Sequence, residues 1–116
     1  MGLNVQMQIK ASNLYMRLQG ELDQASIDNL KRRVVEIIDK YYIKNIIINF
    51  NEVPFMDSSG IGFIIGRYTQ IKNRNGKIIV CMMNDSIERI FNLSGLKRIC
   101  YVARTEEEAT KCLEVA

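Results

Sequence analysis

A chain of 116 residues is long enough for one domain with a single core, and too short for two lobes around a cleft. With 47% apolar and 25% charged residues it has the composition of an ordinary soluble globular protein. A net charge of +3, from 16 basic and 13 acidic residues, is too mild to argue for a nucleic-acid partner.

In chain order, residues 3–10 alternate, with Leu3, Val5, Met7 and Ile9 on one side and Asn4, Gln6, Gln8 and Lys10 on the other. That period predicts a half-buried strand. Ala11-Ser12-Asn13 makes a turn, and Leu14, Met16 and Leu18 alternate again up to Gly20, which completes a hairpin. Glu21-Leu22-Asp23 leads into a helix whose apolar positions are Ile27, Leu30, Val34, Ile37, Ile38 and Tyr41. The strand over about 45–50 carries three successive isoleucines, so it is central and covered on both faces. The loop 51–56 holds the one proline, Pro54, at a bend. A helix is predicted from about Ser59 to Asn73, with Ile61, Ile64, Ile65, Tyr68 and Ile71 on its stripe. Asn75-Gly76 ends that segment.

Residues 77–82 form another apolar strand. Asn84 or Asp85 caps a helix with the stripe Ile87, Ile90, Phe91 and Leu93, closed by Gly95. Residues 99–102 form a short strand, and Thr105 with Glu108 gives a capping box for a last helix, with Ala109, Cys112 and Leu113 inward. The order β-β-α-β-α-β-α-β-α predicts one α/β domain over residues 1–116. Its sheet is mixed, with four or five strands, four helices and right-handed parallel crossovers.

Several function classes lack their residues. The densest basic run, Lys31-Arg32-Arg33, has Glu36, Asp39 and Lys40 nearby and reads as a solvated helix face. Cys81, Cys100 and Cys112 are odd in number and without CxxC spacing, which suits packed free thiols in a reducing, cytoplasmic setting. Residues 1–5 show no signal-peptide pattern, and no apolar run reaches the roughly 18 residues of a membrane span. No metal or cofactor is expected, and the free chain is expected to be a monomer.

The stretch with chemistry in it is Asp57-Ser58-Ser59-Gly60, between the apolar strand and a helix. The start of a helix has unpaired N–H groups and a partial positive charge, and Asp57, Ser58 or Ser59 each has a capping oxygen to offer. Capping alone would account for these residue types. A dinucleotide site would need GxGxxG, but in Gly60-Ile61-Gly62-Phe63-Ile64-Ile65-Gly66 the third glycine comes one residue late. The next strand also lacks an acidic residue at its end. Glycines 62 and 66, four apart, let the helix approach the sheet or leave a flat surface. Nucleophilic catalysis lacks its base, since the chain has no histidine and no GxSxG. A phosphorylated switch needs only an exposed hydroxyl. Phosphate would add a charge of about −1.5 to −2 beside Asp57, and Glu21 and Asp23 would add repulsion if their loop shares that edge of the sheet.

The run Phe55-Met56-Asp57-Ser58-Ser59-Gly60-Ile61-Gly62 resembles the signature of STAS domains, the family of bacterial anti-sigma factor antagonists. Gly20-Glu21-Leu22-Asp23, Gly66-Arg67-Tyr68 and Leu93-Ser94-Gly95-Leu96 agree along the chain. The likeness is greatest to members serving the sporulation sigma-F system, with the general stress sigma factor as the alternative. The resemblance implies a non-enzymatic module that binds an anti-sigma factor, itself a serine kinase with ADP or ATP, when unphosphorylated. It also implies that the kinase modifies Ser58 and a dedicated phosphatase reverses this. Choosing Ser58 over Ser59 rests on the resemblance alone. Glu21, Asp23, Asp57, Ser59, Gly60, Ile61, Gly62 and Arg67 are the expected partner contacts. Members fused to anion transporters carry membrane segments that this sequence lacks. A small nucleotide-binding or phosphotransfer enzyme is the rival from another class.

Overall fold

Alternating apolar residues fold Asn4–Lys10 (β1) and Asn13–Gln19 (β2) into an antiparallel hairpin, pairing Val5 with Leu18, Met7 with Met16 and Ile9 with Leu14. The computed structural model describes residues 2–113; Met1 and residues 114–116, the ends of the domain read over 1–116, lie outside the described residues. Helix α1 (Gln24–Lys40) follows, then β3 (Asn45–Glu52), α2 (Ser58–Ile71) with a 3-10 turn at Lys72–Arg74, and β4 (Ile78–Cys81). The chain continues through α3 (Asp85–Ser94), a 3-10 turn at Leu96–Arg98, β5 (Cys100–Val102) and α4 (Glu106–Leu113).

The sheet has five strands in the order β1-β2-β3-β4-β5, and β2 to β5 are parallel. This is the mixed α/β sheet with four helices that the element order predicts. Sequential parallel strands joined by right-handed crossovers put α1, α2 and α3 on one face. Their core holds Leu14, Met16, Ile46, Ile48, Phe50, Ile78 and Val80 from the strands, with Val34, Ile38, Phe63, Ile64 and Phe91 from the helices. Each such side chain contributes about 1.5–3 kcal/mol when fully buried.

The residues in between point to the other face, where Tyr15, Ile47, Ile79 and Cys81 pack on Ala109 of α4. Polar contacts add to this packing. Arg17 makes a forked pair with Glu106 at 2.6 and 2.9 Å, and Asn49 donates to the same carboxylate at 2.9 Å. The Tyr15 hydroxyl lies 2.9 Å from Thr110 Oγ1. The Arg17 hydrogen bond holds Glu106 below the usual carboxylate range, against the opposing pull of partial burial. Because the folded pKa is depressed, the stabilisation is present above the ordinary value of about 4.3 and is lost as pH falls through the lower folded value. Glu106→Gln is expected to cost about 1–2 kcal/mol at neutral pH. Its thermal midpoint should approach that of the parent chain as pH falls through the depressed folded value, where the parent carboxylate also loses its charge. A pH-independent difference would contradict this.

Cys81 and Cys100 are buried, and burial pushes both thiols up to about 12, so they remain protonated. Helix starts follow capping chemistry. Asp23 caps α1 in a reciprocal box with Ser26, and Asn84, not Asp85, caps α3. Thr105 accepts from the Glu108 N–H as expected, but the Glu108 side chain reaches the Arg104 N–H instead of closing the box.

Three predicted faces are corrected. Tyr41 is the exposed C-cap residue of α1 and not part of its apolar stripe, because the chain turns at Tyr42 with φ 50°. Leu93 is 81% exposed, since α3 buries Ile87 and Phe91 and a residue two beyond Phe91 points to the opposite side. Helix α2 buries Gly60, Phe63, Ile64, Arg67 and Ile71, leaving Ile65 46% exposed. Residues 60–66 carry no polar side chain, so no single stripe is defined by the pattern there.

Candidate functional site

The carboxyl ends of the parallel strands set the site. Pairing of β2 with β3 shifts register between Arg17 and Gln19, and the chain after β3 curls back beside the Gly20–Asp23 loop. Gly20 N–H donates to Glu52 O at 2.9 Å, Leu22 N–H to Phe55 O at 3.1 Å, and Asp57 N–H to Leu22 O at 3.0 Å. Leu22 and Met56, both buried, thereby form a short parallel bridge. The starts of α1 and α2 are pinned side by side. The Asn84 side chain donates to Val53 O at 3.1 Å and ties the start of α3 to the same edge.

Within this edge the two serines are not equivalent. Asp57 is the N-cap of α2, and its Oδ1 accepts from Ser59 N–H at 2.8 Å. Ser59 is half-buried, and its hydroxyl donates to Gln24 Oε1 at 3.4 Å. Ser58 is exposed at the first helical position, with no side-chain hydrogen bond among the described residues. The geometry thus separates the two hydroxyls, which capping chemistry could not do. Gln24 is the site residue that sequence reasoning missed, since its reach to Ser59 spans 35 positions.

Glu21 is exposed, while Asp23 is half-buried and held below the usual carboxylate range by the backbone N–H of Ser26. Both acids line a groove of about 760 Å³ with Gly20 and Pro54. Phe55 beside it is 47% exposed. The acids therefore share the edge of the sheet that carries Ser58, through the Leu22–Met56 bridge.

On α2, Ile61 is half-buried and Gly62 is exposed. A Cβ at Gly62 or Gly66 would meet nothing within 4 Å, so neither glycine is needed for packing against the sheet. They leave the outer side of α2 flat. Gly60 is different: it is buried, and a Cβ there would stand 2.9 Å from Met56 Sδ. Arg67, expected at the surface, is only 5% exposed. Its guanidinium lies 5.0 Å from the Phe63 ring centre, and Nε donates to Gln70 at 3.1 Å. Nη1 is buried without a hydrogen-bond partner among the described residues, and desolvation lowers the pKa of the group. Arg67 serves the packing of α2 and is not available to a docking protein.

Among the described residues no three His, Cys, Asp or Glu side chains come together to hold a metal ion, and no helix is long and apolar enough to cross a membrane. A family model described as STAS domain matches residues 4–109. The chain belongs to the STAS family. It is 35% identical over 115 residues to an anti-sigma F factor antagonist of Paenibacillus polymyxa, covering 99% of this chain and 98% of the relative. It is 24% identical to an anti-sigma-B factor antagonist of Bacillus subtilis strain 168, covering 92% and 96%. Among solved structures, the anti-sigma factor antagonist SpoIIAA in its unphosphorylated form superposes with a TM-score of 0.85 at 29% identity, covering 96% of each chain. The Bacillus cell fate determinant SpoIIAA in the phosphorylated form gives a TM-score of 0.76 at 30% identity, covering 95% of this chain and 99% of that one. That STAS relative therefore exists in two phosphorylation states.

Proposed function

We propose that this STAS domain is an anti-sigma factor antagonist, a binding module and not an enzyme, whose affinity for its partner is set by phosphate on Ser58. The observation that carries the reading is the exposed Ser58 hydroxyl at the start of α2, without a hydrogen bond among the described residues, flanked by Asp57 and beside the Glu21–Asp23 loop. The partner is an anti-sigma factor that is also a serine kinase holding ADP or ATP, and a serine phosphatase removes the mark. The sporulation sigma-F pathway is the favoured setting, supported by 35% identity to a sigma-F antagonist against 24% to a sigma-B antagonist.

The docking surface is the acid-lined edge together with the flat outer side of α2: Glu21, Asp23, Asp57, Ser59, Ile61 and Gly62. Gly60 and Arg67 act behind it. The flat helix lets another backbone come close to the Ser58 corner, where its carbonyls or carboxylates would face any phosphate. Titration of the unmodified chain into the anti-sigma factor of the same organism, with ADP bound, is expected to give a saturable heat of binding. Absence of binding overturns the proposal. Gly62→Ala separates surface from stability. It should raise helix stability by up to about 1 kcal/mol, while weakening the complex by about tenfold through the added methyl. Unchanged affinity in calorimetry would remove this part of α2 from the interface.

A further inference from the structure

The two ends of the sheet carry opposite charge. Where the parallel strands finish stand Glu21, Asp23 and Asp57, and where β4 and β5 begin the side chains are cationic. A groove of about 570 Å³ there is lined by Lys72 at the end of α2, Lys77 before β4, Lys97 and Arg98 after α3, and the rings of Tyr68 and Tyr101. No carboxylate lines it among the described residues.

Two of these groups are less free than the others. Lys77 lies 5.4 Å from the Tyr101 ring centre and donates to Cys112 O at 3.4 Å, so it is already engaged. Lys97 is 4.0 Å from Glu88, with both side chains close to half exposed, a pairing weak enough to give way. Lys72 and Arg98 are exposed and make no ion pair among the described residues. A cation after a helix is ordinary, because it answers the partial negative charge of the helix end. Here three such cations, from two separate segments, face one hollow together with two aromatic rings. Their mutual repulsion is relieved by an anion between them, and an Arg with two Lys matches phosphate oxygens. The volume falls in the range of roughly 300–1,000 Å³ of small-molecule sites.

We propose that this groove binds a phosphorylated small molecule with at least two phosphate charges, held by Lys72, Lys97 and Arg98 and flanked by Tyr68 and Tyr101. It lies at the far end of α2 from Ser58, a distance of about 21 Å for its 14 residues. Ligand and protein partner would therefore bind at the same time, and the site stands or falls independently of the switch.

The test is an amide NMR titration of the full-length isotope-labelled chain with tripolyphosphate and, separately, with ATP at physiological salt. Saturable shifts centred on Lys72, Gly76, Lys97 and Arg98, with none at Ser58–Gly62, are expected. The double variant Lys97→Glu with Arg98→Glu should bind at least about tenfold more weakly, and its well-dispersed spectrum will show that it folds. Arg98→Ala, with one exposed cation removed, should show a smaller loss. Tighter binding of ATP than of tripolyphosphate would support the role of the tyrosines, and equal binding would support the cations alone. Shifts that never saturate, shifts centred on Ser58, or equal affinity in the double variant overturn the proposal. Vesicles of phosphatidylglycerol and of phosphatidylcholine separate the sources of phosphate. Binding to the anionic vesicles with no saturable response to either soluble probe overturns the small-molecule site in favour of a membrane surface.

Discussion

Phosphate on Ser58 is expected to lower the affinity for the anti-sigma partner by at least about a hundredfold, a change of about 2.7 kcal/mol. Two effects compete at this position. A helix start attracts anions through its free N–H groups. In α2, however, Asp57 already takes Ser59 N–H with its side chain and Gly60 N–H with its carbonyl, leaving only the N–H of Ser58 itself. The phosphate is thus poorly neutralised and remains an exposed charge of about −1.5 to −2. Repulsion between unit charges about 4 Å apart is roughly 4 kcal/mol at a surface-like dielectric, before salt screening. Repulsion therefore wins wherever the partner brings a carboxylate or a close backbone carbonyl to this corner. Ser58→Asp adds one charge on a shorter side chain and should weaken the complex by about tenfold. Calorimetry at two salt concentrations checks the cause. Part of the Ser58→Asp loss should return at high salt, whereas a steric cause would leave it unchanged.

Gly76→Ala is expected to be the most damaging single methyl in the chain for stability. A Cβ at Gly76 would stand 1.9 Å from Lys44 O and 3.1 Å from Ile71 Cβ. Neither neighbour has room to give. Lys44 N–H is bonded to Ser12 O at 2.8 Å, Lys77 N–H to the Asn45 side chain at 2.9 Å, and Ile46 N–H to Lys77 O at 2.9 Å. The backbone where β3 and β4 begin is therefore locked on both sides of the clash. A loss of about 3 kcal/mol or more follows, which for a domain of this size lowers the thermal midpoint by roughly 10–15 °C. Gly62→Ala, with open space around it, is the matched control. Equal midpoints for the two variants would contradict this.

Much of this fold is legible in the chain because its signals are local. Ile46-Ile47-Ile48 can only be a strand covered on both faces, and Leu14, Met16 and Leu18 show one period of alternation. Caps at Asp23, Asp57 and Asn84 follow from side chains a few residues from the amides they serve. What escaped is set by distant contacts. The buried face of α2 depends on how a helix with no polar side chain over residues 60–66 rolls against the sheet, and Arg67 goes inside because Phe63 and Gln70 receive it. The arm of Arg17 that holds Glu106 bridges 89 positions. At the site, the acidic loop and the serine turn meet through the Leu22–Met56 bridge, which no spacing in the sequence announces. That bridge, with Asp57 and Gln24 occupying the groups of Ser59, is what distinguishes Ser58.

The most direct measurement is fragment mass spectrometry of the chain after reaction with the anti-sigma kinase and ATP, alongside Ser58→Ala and Ser59→Ala. One phosphate on Ser58, lost in the first variant and retained in the second, is the result expected. Phosphate on Ser59, or labelling that persists in Ser58→Ala, would contradict the account.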